Sequence, residues 1–137
     1  MKQNAILFLV LLLACTTDDA VPTTPAPTTF DPATATLLKT GVLMGIGHAV
    51  SGTAAIYASS GTLVVLLDPF TSQNGPDLKV YLSKDVNASS YISLGDLKST
   101  SGKQSYVVPG TPAINEYTHV HIWCEEFSVV FGRAEVN

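Results

Sequence analysis

Leu78-Lys79-Val80-Tyr81-Leu82 alternates apolar side chains with more polar or aromatic ones. Successive side chains of a strand point to opposite faces, so Leu78, Val80 and Leu82 share one face. Lys79 and Tyr81 share the other, which predicts a half-buried strand. The stretch before it, Thr71-Ser72-Gln73-Asn74-Gly75-Pro76-Asp77, is dense in turn-forming residues and predicts a loop.

Similar short runs, separated by turn residues, continue in both directions from this strand. Upstream, Thr53–Tyr57 and Thr62–Leu67 flank Ser59-Ser60-Gly61, which predicts a hairpin. The downstream runs are Tyr91–Leu94, Gln104–Val108, His119–Cys124 and Phe127–Phe131. No segment of this region has a sustained helical period. We therefore predict an all-β domain of about eight short strands, arranged as a small antiparallel β-sandwich or barrel.

The N-terminus has the pattern of an export signal. Lys2 precedes the apolar run Ala5–Ala14, whose ten residues would span about half of a hydrocarbon core as a helix. Such a run is too short for a stable transmembrane helix and is typical of a signal peptide. Leu12-Leu13-Ala14-Cys15 resembles the lipobox of bacterial lipoproteins. The resemblance implies a signal peptide over residues 1–14 and lipidation of Cys15.

The next part of the chain predicts a spacer. Residues 15–36 hold the lipidated Cys and a Pro/Thr-rich sequence with almost nothing to bury, so we expect an extended tether. Residues 37–50 are apolar but interrupted by Gly41, Gly45 and Gly47, and we expect a lead-in segment that packs on the domain. The β domain then occupies residues 37–137.

Charge and predicted export limit the partners. The net charge is −4, and loss of residues 1–14 removes Lys2 and makes it −5. Six scattered basic residues cannot form the electrostatic footprint of a nucleic-acid-binding protein. The predicted partner is instead a membrane, through the lipid anchor. The predicted location is the bacterial cell envelope, either periplasmic or surface-exposed.

Three stretches between residues 45 and 136 resemble the DM-thirteen domain, a small all-β module of extracytoplasmic proteins. They are His48-Ala49-Val50-Ser51-Gly52-Thr53, Asn74-Gly75-Pro76-Asp77-Leu78-Lys79-Val80-Tyr81-Leu82-Ser83 and Val120-His121-Ile122-Trp123-Cys124-Glu125-Glu126-Phe127-Ser128-Val129-Val130-Phe131-Gly132-Arg133-Ala134. The third is the most specific. The resemblance implies electron transfer or other redox chemistry, with Cys124 as a redox thiol or a cofactor ligand. A haem or metal cofactor and an unidentified redox partner follow from the resemblance alone.

The residues around Cys124 also have a simpler interpretation. On a regular strand, His119, His121 and Trp123 face one way, and Val120, Ile122 and Cys124 face the other. The two histidines therefore cannot share a metal site with Cys124, and we expect them to be solvated or satisfied strand residues. His48 is the remaining histidine. No metal site is predicted.

The positions of the apolar residues change after Cys124. Before Glu126 they are even-numbered, whereas Phe127, Val129 and Phe131 are odd-numbered. This change predicts a bulge or short turn at Glu125-Glu126, where Cys124 could become exposed. If Cys124 is not functional, it is core packing, the commonest role of a buried cysteine.

No enzyme class can be assigned. The sequence holds no nucleophile elbow, phosphate loop, Cys-x-x-Cys or haem-attachment pattern, and Asp77 has the surroundings of a turn residue. Two functions stay open. One is a lipid-anchored redox module centred on Cys124, and the other is a non-catalytic ligand-binding or structural envelope domain.

Overall fold

The computed structural model describes residues 20–137. Cys15 and the predicted signal peptide lie outside this range, so both assignments stay predictions. Among the described residues, no helix is long and apolar enough to cross a membrane. The strands, in chain order, are β1 Thr36–Gly45, β2 Val50–Ser59, β3 Thr62–Ser72, β4 Leu78–Ser83, β5 Tyr91–Asp96, β6 Gln104–Val107, β7 His119–Cys124 and β8 Val129–Glu135. Two short 3-10 helices occupy Pro32–Thr34 and Ile114–Glu116.

The eight strands form one antiparallel sheet that curls into a nearly closed barrel. Their order is β5-β4-β7-β8-β1-β2-β3-β6, so the first and last of these eight strands are neighbours. Met44 pairs with Arg133, and Gly45 pairs with Gly132. The all-β prediction is confirmed, and the structure is the barrel rather than the sandwich.

The predicted hairpin is present between β2 and β3. Ser60 and Gly61 form its two-residue turn with φ angles of 49° and 77°. Positive φ at both positions is characteristic of the turn that matches the twist of paired strands. The two strands are longer than the sequence pattern predicts, and they pair from Val50 with Ser72 to Ser59 with Thr62.

The core lies inside the barrel. Leu78, Val80 and Leu82 of β4 are at most 1% exposed, which confirms the predicted inner face. Val120 and Ile122 of β7 are fully buried beside them. The core is continuous because β4 and β7 are paired along their whole length.

The strand β1 was not predicted. The sequence pattern indicates only a lead-in segment there, because its glycines interrupt the apolar run. In the structure β1 pairs with both β2 and β8. A Cβ at Gly41 would lie 1.9 Å from the carbonyl oxygen of Glu135, so this glycine permits the close approach of the C-terminal strand.

The expectation that the tether has nothing to bury is wrong for Val21. Val21 is 8% exposed and belongs to the core cluster. Its amide donates to Asn74 Oδ1 at 3.2 Å, and Asn74 Nδ2 donates to its carbonyl at 2.9 Å. Further along, the Phe30 and Tyr57 rings pack with centroids 5.5 Å apart. The proposed division of the chain at residue 36 stays a prediction.

The break after Cys124 is a short turn, as predicted, but the last strand begins later. The amide of Ser128 donates to the carbonyl of Glu125 at 3.3 Å, and Phe127 in this turn is 65% exposed. The expected inward set of Phe127, Val129 and Phe131 is therefore wrong except for Phe131, which is 4% exposed. A register shift between Ile122 and Trp123 in the β7–β8 pairing accounts for the change of phase.

Candidate functional site

Cys124 points into the barrel at the end of β7. It pairs with Leu78 across the sheet and is fully buried. Its Sγ donates to the carbonyl oxygen of Pro76 at 3.0 Å. The turn after β7 therefore does not expose the thiol, and a partner cannot reach it without local opening of the barrel end.

The histidines do not gather around Cys124. His119 and His121 lie on the other face of β7, as predicted, with ring centroids 5.9 Å apart. His48 stacks on Phe131 with centroids 3.7 Å apart. Within residues 20–137, no three His, Cys, Asp or Glu side chains are placed to hold a metal ion.

His121 is buried, so of the two expected states, solvated or satisfied, it is the satisfied one at Nε2. The segment after β4 covers it: Nε2 lies 3.0 Å from Ser83 Oγ and 3.3 Å from the carbonyl oxygen of Asp85. Nδ1 is buried and finds no hydrogen-bond partner among the described residues. Burial lowers the pKa of His121 to about 4. The ring is therefore neutral at neutral pH.

The covering segment is held in place by Asp85. Its carboxylate accepts hydrogen bonds from the amides of Asn87, Ser89 and Ser90 and from the hydroxyl of Ser89. These hydrogen bonds, that of the Ser89 hydroxyl first, lower the pKa of Asp85 to about 2. One carboxylate thus closes the turn that covers His121.

Three aromatic rings lie together on the outer face of β5, β4 and β7, and we call them the aromatic row: Tyr91, Tyr81 and Trp123. Tyr81 stacks on Tyr91 with centroids 4.0 Å apart and on Trp123 with centroids 5.8 Å apart. Tyr81 is 2% exposed, whereas Tyr91 is 47% exposed. A cleft of about 320 Å³ is lined by these rings together with Glu125 and Ser128.

The phenol of Tyr81 donates to Glu125 Oε1 at 2.5 Å. This is the short distance of a hydrogen bond between a hydroxyl and a carboxylate. Burial, together with the hydrogen bond to Glu125, raises the pKa of Tyr81 well above its ordinary value. The sequence pattern placed Tyr81 on the face opposite the core but could not reveal this contact, because the partners are 44 residues apart.

Asp77 has a structural role, through contacts other than the expected turn closure. It adopts a φ of 54°, and its carboxylate forms an ion pair with Lys79 at 2.8 Å. Its carbonyl accepts from the amide of Glu125 at 3.0 Å, which joins the loop before β4 to the turn after β7. The Asn74 side chain closes the preceding turn onto the amide of Gly75 at 2.8 Å.

Comparison with known proteins places this barrel in a family. Residues 43–136, which run from β1 through the end of β8, match the family described as Electron transfer DM13. Searches of curated proteins and of solved structures find no match. The family match spans more than half of the chain, including Cys124 and the whole aromatic row. The chain therefore belongs to the Electron transfer DM13 family.

Proposed function

We propose that this chain is a lipid-anchored electron-transfer module of the bacterial cell envelope, with Cys124 as an internal relay contact. Family membership supports electron transfer. The observation that carries the role of Cys124 is its fully buried thiol, hydrogen-bonded to the Pro76 carbonyl at 3.0 Å. A reactive thiol must be reachable by its partner, and Cys124 is fully buried.

The same geometry disfavours two other roles for Cys124. A metal ligand would need further donor groups, which the described residues do not bring together. A thiol that cycles through a disulfide needs a resolving cysteine, and the other cysteine of the chain is Cys15, the proposed lipid site. A relay contact needs neither, because it requires only close packing between donor and acceptor.

The role of Cys124 can be tested with a matched truncation on the same face. We expect Cys124→Ala to slow one-electron exchange between the full chain and soluble redox mediators. Spectroelectrochemistry measures the rate of this exchange. Val120→Ala also creates a small cavity in the core, and it should leave the exchange unchanged. Equal exchange in wild type and Cys124→Ala, with a thiol that resists alkylation until unfolding, would show that Cys124 is core packing.

The anchor is proposed from the lipobox-like sequence at Cys15. Two or more acyl chains give stable membrane attachment, whereas one chain is marginal. Cells expressing the full chain and fed a labelled fatty acid should label wild type and Cys124→Ser but not Cys15→Ser. Label of equal strength in Cys15→Ser would contradict the anchor.

A second candidate function is a non-catalytic ligand-binding domain. A separate cleft of about 420 Å³ on the outer face favours it, because Val42, Met44 and Val86 bring apolar surface beside Arg133 and His119. Val42 and Met44 are 68% and 65% exposed. Ligand pockets commonly combine apolar walls with a few polar groups. Because Glu135 also lines this cleft, the probe is a neutral apolar dye, and its retention by wild type and loss in Met44→Asp would favour this function.

A further inference from the structure

The aromatic row has features that core packing and turn formation do not require. Tyr81 is almost completely shielded from water, yet it lies on the outer face of the sheet rather than in the core. Tyr91 and Trp123 pack on either side of it. The shielded phenol therefore has aromatic contacts that lead to the surface.

The hydrogen bond to Glu125 determines what this phenol can do. Oxidation of a phenol by one electron makes it strongly acidic, so the proton must leave with the electron. Water has little access to Tyr81, but the Glu125 carboxylate lies within hydrogen-bond distance at 2.5 Å. A positioned base must lie within such reach of the proton that it accepts. Glu125 is itself exposed, so it can later exchange that proton with solvent.

Tyr106 shows that the arrangement at Tyr81 is specific. Tyr106 is also 2% exposed, and its phenol donates to the Gln104 amide oxygen at 2.6 Å. An amide oxygen accepts a hydrogen bond but is far too weak a base to take the proton. Tyr81 and Tyr106 thus differ in the chemical nature of their acceptor.

We propose that Tyr81 is a redox-active tyrosine whose proton passes to Glu125, and that Tyr91 conducts the electron to a one-electron oxidant of the transition-metal class. The O–H bond of Tyr81 breaks and an O–H bond forms on Glu125. One electron leaves the Tyr81 ring and lowers the metal of the oxidant by one oxidation state. Return of one electron from a reductant and of the proton from Glu125 restores the starting pair. This inference rests on the proposed electron-transfer function and adds to it a second site, on the outer face of the sheet.

The test uses the full chain and hexachloroiridate(IV) as the one-electron oxidant. Stopped-flow absorbance follows its reduction, and electron paramagnetic resonance of freeze-quenched samples identifies the radical. We expect wild type to form a tyrosyl radical that Tyr81→Phe lacks. Glu125→Gln keeps a hydrogen-bond acceptor but removes the base, and it should react about 100-fold more slowly, the lower range of the effect of a positioned base.

Two variants serve as matched controls. Glu126→Gln removes the neighbouring exposed carboxylate, and Tyr106→Phe removes an equally buried phenol. Both variants should react like wild type. Replacement of water by heavy water should slow wild type and Glu126→Gln but change Glu125→Gln little. Because Glu125 is exposed, Glu125→Gln remains informative even if Tyr81→Phe does not fold.

Each outcome separates this inference from the function on which it rests. Equal rates in Glu125→Gln and Glu126→Gln, or an unchanged radical in Tyr81→Phe, would overturn the assignment of Tyr81 and leave electron transfer by the domain intact. A folded wild-type chain that neither reduces the oxidant nor exchanges electrons with mediators would overturn both proposals.

Discussion

At the scale of single residues, the two faces of β7 carry side chains of different chemical character. Ile122 and Cys124 point into the barrel, where apolar neighbours surround them. His121 points outward but is still fully buried, because the segment held by Asp85 covers it. A strand position that alternates away from the core is thus not always a surface position.

The buried neutral His121 makes the stability of the domain dependent on pH. An unfolded histidine takes up a proton near pH 6.5, whereas folded His121 does so near pH 4. Between these values the unfolded state binds more protons, so the stability contribution is complete above pH 6.5 and falls as the pH drops toward 4. The slope from this residue is at most about 1.4 kcal/mol per pH unit.

We expect the free energy of unfolding in urea to show this slope against pH in wild type and in His119→Gln. His119 is partly exposed, so it serves as the control. His121→Gln should be less stable at neutral pH, since it disturbs a buried contact, but its stability should change much less across this window. A slope that persists in His121→Gln would assign the pH dependence to another group.

At the scale of elements, residues 21–30 lie against the barrel. Val21 is hydrogen-bonded to the side chain of Asn74 through both its amide and its carbonyl, and its own side chain enters the core. The amide of Thr100 donates to the carbonyl of Pro22 at 2.9 Å. The Pro/Thr-rich composition indicated an extended conformation, but an extended chain can still lie against a barrel.

We expect Val21→Ser to lower the free energy of unfolding by about 1–3 kcal/mol, since it removes a buried apolar side chain. Thr24→Ser changes an exposed residue of the same segment and should stay within about 0.5 kcal/mol of wild type. Chemical denaturation of the two variants measures the difference. Equal midpoints would mean that the segment is dispensable for folding.

At the scale of the whole molecule, the barrel depends on the seam between β1 and β8. Gly132 lies at this seam, where a Cβ would be 2.7 Å from Val50 Cβ and 3.0 Å from the carbonyl oxygen of Met44. The seam joins the two halves of the sheet, β5-β4-β7-β8 and β1-β2-β3-β6, so its close approach decides whether they form one continuous sheet.

We expect Gly132→Val to destabilise the domain by about 1–3 kcal/mol or more, because overpacking forces the backbones apart. Glu135→Ala alters an exposed side chain of the same strand and should be close to neutral. Thermal unfolding followed by circular dichroism compares the two. A Gly132→Val variant as stable as Glu135→Ala would show that the seam can open without cost.

Local patterns in the sequence were sufficient for the strands that alternate clearly. The inner face of β4, the hairpin at Ser60-Gly61 and the two faces of β7 were predicted correctly, because each depends on neighbours within a few residues. The apolar pattern did not predict β1 as a strand, and it wrongly placed Phe127 in the core. Gly41 was needed for a close backbone approach, and Phe127 lies in a turn despite its hydrophobic side chain.

Sequence patterns alone were enough to predict the all-β class, the family resemblance and the separation of Cys124 from His119 and His121, since alternation along one strand is a local property. The folded structure was needed to show which strands are neighbours, and with them the burial of His121 and the hydrogen bond between Tyr81 and Glu125. These contacts join residues 36 to 44 positions apart. Their formation depends on the pairing of β4 with β7, and no short window of sequence contains both strands.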